Sequence, residues 1–199
     1  MSTYASAVWV DVRPDGPVTD VARALEAVDP DQPVWVDVDS AWVRLATYLP
    51  LRVEVGDEIA AVLATAGSAR AAIAEDHDEF GASWTVLSSA DGVTRTVHRR
   101  YLLNADPRSR RQVRLALRAF ERDGRPHEPR DDDVAGPQAL ADVALLFGAD
   151  PARVLAAEVR AETAFEDMGV VGGPFPWVEA LGLVWPGPDA GRPFGGRTA

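Results

Sequence analysis

Apolar and polar positions alternate most cleanly in two runs near the middle of the chain, Ala82–Ser88 and Val93–Leu103. Between them stands Ser89-Ala90-Asp91-Gly92. Asp-Gly between alternating runs is a strong hairpin signal, because a tight two-residue turn needs positive φ at both of its central residues. That turn predicts Val86 opposite Val97, Trp84 opposite Arg99, Ala82 opposite Tyr101 and Thr85 opposite His98. One face would then be mostly core. The other would present Ser83, Thr85, Thr94, Thr96, His98 and Arg100 to water or a ligand. A slip of one residue would exchange the two faces.

The flanking pattern predicts the remaining elements. Val8–Val12 alternates and ends at Arg13-Pro14-Asp15-Gly16-Pro17, a strand followed by a loop. Val21, Ala24, Leu25 and Val28 recur at helical spacing within Val18–Val28. Val34–Val38 reads as a second strand, parallel to the first through a right-handed crossover. Ser40–Leu49 fits either a capped helix or a strand. Its Trp, Val, Thr and Tyr favour the strand. Gly56–Ala66 reads as a helix with Asp57 at its start and Gly67 as its stop. Arg70–Glu75 leads into the hairpin as a strand.

Beyond the hairpin the period changes from two to about 3.6. Arg108–Arg122 is predicted helical, and Gly124–Gly136 reads as a polar connection. Pro137–Phe147 and a helix from Asp150-Pro151 to about Met168 follow. The Gly/Pro/aromatic segment 169–185 is too apolar for a linker and is expected to dock Phe175, Trp177, Leu181 and Trp185 on the body. Residues 186–199 read as a loose tail. The expectation is a single α+β domain over 1–185. A mixed or antiparallel sheet (about 7–104) holds a central hairpin (about 82–103), with helices packed on one face and a C-terminal helical segment (about 108–168).

Composition narrows the chemistry. The chain has 199 residues and no cysteine, which excludes disulfides and thiolate nucleophiles and fits a cytoplasmic protein. No signal peptide or membrane span is read. All 20 basic side chains are arginine, as the codon bias of a GC-rich genome would produce. The net charge of −11 is unevenly spread: residues 95–130 hold 11 arginines against four acids. Overall acidity disfavours nucleic acid and anionic membranes.

Several constellations could carry chemistry. Glu75-Asp76-His77-Asp78-Glu79 sets four carboxylates around one imidazole, at no established metal-ligand spacing. An acidic turn protecting a sheet edge is the plainer reading. His98, flanked by Arg99 and Arg100 and opposite Thr85, could act as a base or hydrogen-bond acceptor, with its neutral form favoured by the arginines. Arg111, Arg114, Arg118 and Arg122 form a basic stripe. It could meet phosphate, or Glu158, Glu162 and Glu166 of the last helix. Ala144, Gly148 and Val154 resemble in spacing the turn of helix-turn-helix DNA-binding domains. The three glutamates on the would-be recognition helix would repel phosphate, so a plain helical hairpin is expected. Gly172-Gly173 lacks the residues of a phosphate loop. Trp177 and Trp185 could line a pocket, with core anchoring the plainer reading.

No metal or cofactor site and no nucleophile in a catalytic context is read. The leading expectation is a non-catalytic acidic module that binds another protein, of the inhibitor or immunity type, through surfaces including Glu75–Glu79 and Asp131–Asp133. The alternative is a small-molecule binder or enzyme using the polar sheet face around His98, Thr85 and Arg100. Nucleic-acid binding through the 108–122 helix ranks third.

Overall fold

Strand β1 (Ala5–Val12) lies in the interior of the sheet and is apolar toward both faces: Val8, Val10 and Val12 enter one core, Ala7 and Trp9 the other. A strand with two apolar faces needs helices on both sides of its sheet. The computed structural model, which describes residues 5–39, 41–49, 55–76, 81–103, 134–168 and 175–196, supplies them. Besides β1, the sheet contains β2 (Trp35–Val38), β3 (Val43–Leu49), β4 (Ala69–Asp76), β5 (Gly81–Ala90), β6 (Val93–Leu103) and β7 (Arg192–Pro193). The order of the seven strands is β6-β5-β4-β1-β3-β2-β7, and all neighbours are antiparallel.

Helices α1 (Val18–Val28) and α2 (Val55–Ala66) pack on one face, where Leu25, Ile59 and Leu63 meet Val10, Leu45 and Ile73. The C-terminal helical segment covers the other face. It comprises α3 (Pro137–Phe147), α4 (Pro151–Met168) and α5 (Phe175–Ala180). There Val143, Val154, Ala157 and Trp177 meet Trp9, Ala72 and Trp84. The fold is α+β, as the patterning indicates. Local signals hold in detail. Gly148 closes α3 in the left-handed region (φ 67°), and Asp150 Oδ1 accepts the Ala152 N–H at 2.9 Å to start α4. With Val154, Ala157 and Ala161 of α4 buried against the sheet, α3 and α4 form the expected helical hairpin.

Three expectations are corrected. The turn at Asp91-Gly92 forms, with φ of 52° and 75°, and the pairing runs as predicted from Ala90↔Val93 to Leu87↔Thr96. A β-bulge then absorbs Val97, so that Val86 faces His98, Trp84 faces Arg100 and Thr85 faces Arg99. The second strand does run in the direction of the first, but β3 is inserted between them, so there is no parallel pairing. Ser40–Leu49 resolves toward its strand reading in β3. Residues 186–196 are not a loose tail: β7 pairs with β2, and the Phe194 N–H donates to the Val34 carbonyl at 2.8 Å. Exposed backbone groups of β2 and a half-buried Phe194 supply the anchorage that Gly/Pro composition conceals.

Candidate functional site

Beneath α2 the sheet face turns from apolar to polar. Ser6, Glu75 and Ser83 stand in one row across β1, β4 and β5. The adjoining row places Thr85 opposite Arg99. Ser6 is fully buried, and Ser83 and Thr85 are each 7% exposed. The Ser83 hydroxyl donates to Glu75 Oε2 in a short hydrogen bond. Burial pushes the Glu75 carboxyl above its ordinary range, opposed by that hydrogen bond and by the charge of Arg99. Among the described residues the buried Ser6 Oγ has no hydrogen-bond partner. Gly56, at the start of α2, leaves room for the Arg99 guanidinium, whose Nη2 lies 3.9 Å from the position a Cβ would take. A carboxyl held toward its neutral form beside a hydroxyl can donate or accept a proton, or bind a polar group.

This face contains Glu75 and Thr85 of the residues singled out above, but neither His98 nor Arg100. The bulge at Val97 puts those two opposite Val86 and Trp84, on the aromatic face. A polar face uniting His98, Thr85 and Arg100 therefore does not exist. His98 is fully buried, and neither ring nitrogen has a hydrogen-bond partner among the described residues. Burial, then the neighbouring Arg100, lowers its pKa to about 4. Arg100 Nε lies 2.9 Å from Glu158 Oε1, and Trp177 Nε1 donates to Glu158 Oε2 at 2.7 Å. Asp76 sits opposite Ala82 at the end of β4. His77, Asp78, Glu79, Arg111, Arg114, Arg118, Arg122, Asp131, Asp132 and Asp133 lie outside the described residues, as do Gly172 and Gly173. Glu75 itself is only partly exposed, and its carboxylate accepts from Ser83.

Two further groupings escape a linear reading. At the opposite end of β1, Asp11 is 1% exposed and faces Arg44 on β3 and Arg70 on β4. Its Oδ1 and Oδ2 accept from Arg44 at 2.7 and 2.8 Å, and Oδ2 also accepts from Arg70 Nε at 2.8 Å. The Arg70 guanidinium lies over the rings of Trp42 and Phe147, at 4.3 and 4.4 Å from their centroids, and donates to the Leu146 carbonyl. This network fastens the C-terminus of α3 to the sheet. It needs the strand order β4-β1-β3, which no local motif announces.

The second grouping is a surface pocket of about 420 Å³ formed by α5 and the segment after it. Phe175, Val178, Leu183, Val184, Trp185, Pro186 and Pro188 supply its apolar lining, Glu179 and Asp189 its carboxylates. Of the two tryptophans considered for a pocket, Trp177 is core and stacks on Trp84 at 5.9 Å, while Trp185 lines the cavity.

No protein-family model, curated protein or solved structure matches this chain. Among the described residues no helix is long and apolar enough to cross a membrane.

Proposed function

We propose that this chain is a non-catalytic cytoplasmic binding module for a basic protein partner, acting as an inhibitor or immunity-type protein does. The supporting observation is where the carboxylates stand. Residues 13–39 hold seven acids against two arginines, and Asp15, Asp20, Asp31, Asp37 and Asp39 are exposed along α1, β2 and their loops. The backbone N–H groups of Ala41 and Trp42 hold the Asp39 carboxyl below its ordinary range, so it stays charged under acidic conditions. At the far edge of the sheet β6 carries no acid, and its Arg95 is exposed. Such a separation orients an approaching cationic surface and raises its association rate, in proportion to low salt.

The test is affinity capture from native lysate, followed by association kinetics with whatever is retained. A basic partner is expected whose association slows about tenfold between low and physiological salt, and again on combining D31N, D37N and D39N. Repeated capture of nothing, or a partner indifferent to those changes, overturns the reading.

A second reading, a small-ligand site or enzyme, moves from His98 to the Glu75–Ser83 pair, because that largely buried polar row interrupts an otherwise apolar face. Its test is a nuclear magnetic resonance screen of polar metabolites. Shifts confined to Ser6, Glu75 and Ser83 would favour it, and their absence would remove it.

A further inference from the structure

Resting on the reading as a binder of a basic partner, we infer that the pocket between α5 and residues 183–189 receives one arginine side chain of that partner. Its chemistry is one-sided. The apolar lining suits the methylene stem of a long basic side chain, and the Phe175 ring is 47% exposed beside Trp185. Ring faces of this kind attract a guanidinium. Among the ten lining residues the only ionisable groups are the carboxylates of Glu179 and Asp189, so an anion or a neutral apolar ligand would leave both charges uncompensated.

Those carboxylates are not consumed internally. Asp189 makes no ion pair with any described residue. Glu179 Oε2 comes no nearer than 3.9 Å to Arg160 Nη2, with both side chains more than half exposed to water (69% and 59%). Arg153 reaches the Glu179 backbone carbonyl at 3.4 Å and leaves the carboxylate alone.

The walls are also set before any ligand arrives. Trp185 is wedged between Trp9 and Phe175, with centroids 5.5 and 5.1 Å away, and stacks on Tyr48 at 6.5 Å. Trp9 Nε1 donates to the Val184 carbonyl at 2.6 Å and ties the pocket wall to the central strand. Gly182 (φ 65°) ends α5 in the left-handed region, and its N–H donates to the Glu179 carbonyl at 3.1 Å. A rigid aromatic site loses little freedom on binding.

The experiment titrates the full chain with the blocked peptide acetyl-Gly-Arg-Gly-amide. Its citrulline counterpart, uncharged and of the same shape, and its lysine counterpart are titrated in parallel, with backbone and indole resonances followed by nuclear magnetic resonance. Saturating shifts centred on Trp185, Gly187 and Asp189 at roughly millimolar concentration are expected for arginine. Citrulline should bind about tenfold more weakly, and D189N about three- to tenfold more weakly, while D142N at an exposed position of α3 leaves binding unchanged. Equal binding of arginine and citrulline, stronger binding of lysine, or shifts spread over all exposed acids would overturn the inference. A captured partner that is salt-sensitive yet indifferent to D189N and E179Q would sink the pocket and spare the binding module. Saturable arginine binding without any captured partner would do the reverse.

Discussion

Val86 faces His98 across the β5–β6 pair, where an unbroken hairpin would place Val97. The extra residue swaps the faces of everything beyond it on β6. It buries an imidazole that alternation would leave in water, and it frees the opposite face for Arg99. Arg100, on the buried side, meets Glu158 of α4 and so couples the hairpin to the C-terminal helices.

His98 makes the fold acid-sensitive. Its native pKa is lowered to about 4 from an ordinary 6.5, with burial the larger cause. The unfolded chain therefore takes up a proton below about pH 6.5 that the native chain refuses until about pH 4. Stability from this group falls as pH drops through that window, by about 3 kcal/mol at the lower end, and is unaffected above it. Urea unfolding from pH 4 to 8 should show the loss in the parent and not in H98L. At pH 7 that variant should be more stable by about 1 kcal/mol, since two unpartnered ring nitrogens are removed. A parallel pH dependence in both proteins would refute this.

Glu75 acts with the opposite sign. Its native pKa is raised by burial, so the native chain holds a proton that the unfolded chain releases. The resulting stability is full below the ordinary glutamate range and is lost as pH rises through the native pKa. The variant E75Q keeps a neutral partner for Ser83. It should lose this dependence, so that its unfolding midpoint gains on the parent's as pH increases above 4.5, the ordinary value. S83A removes the hydrogen bond that lowers the carboxyl pKa and should move the transition to higher pH. A carboxyl carbon resonance titrating at the ordinary value would contradict both expectations.

How much of this was legible depended on how local each cause is. The Asp91-Gly92 turn, the Gly148 cap and Asp150 at the start of α4 are short-range devices, and each stands where the residues indicate. The bulge is not legible, because Thr-Val-His-Arg-Arg keeps its alternation whether or not Val97 is paired. The insertion of β3 between β1 and β2 is equally hidden, since a crossover and an insertion leave the same local pattern. Glu75 could be singled out as a carboxylate close to a strand end. Its bond to Ser83 depends on how β4 pairs with β5. The docked 186–196 segment looks like a tail because its anchors are distant: β7 pairs with β2 and the Phe194 N–H donates to the Val34 carbonyl, near the other end of the chain.

Asp11 should be among the least replaceable residues. It neutralises Arg70, itself 5% exposed, and Arg44 beside it. Replacing it by alanine leaves two adjacent guanidiniums without their acceptor inside the protein, at a cost of about 3–5 kcal/mol. The exposed D37N, one strand further along the same row, should change stability by no more than about 0.5 kcal/mol. Denaturant midpoints of the two variants separate these expectations. A small effect for D11A would mean that the network contributes little to holding α3 on the sheet.

Gly191 is where the C-terminal segment can be detached while Trp185 keeps its ring contacts. Its φ is 137°, and a Cβ there would collide with the Val36 carbonyl. G191A therefore strains the backbone and pushes residues 188–196 away from β2 at once. The Phe194 N–H, which donates to Val34 at 2.8 Å, reports on that edge directly. Its hydrogen exchange should accelerate at least about tenfold in G191A, while amides of β1 and β4 keep their protection. G67A at the end of α2, also at positive φ but with no neighbour within 4 Å, controls for strain alone and should leave Phe194 exchange unchanged. Because Asp189 and Pro188 precede the hinge, the same variant should weaken arginine-peptide binding while Trp185 stays clamped by Trp9. Unchanged exchange at Phe194 in G191A would mean that β7 is not held by its close approach to β2.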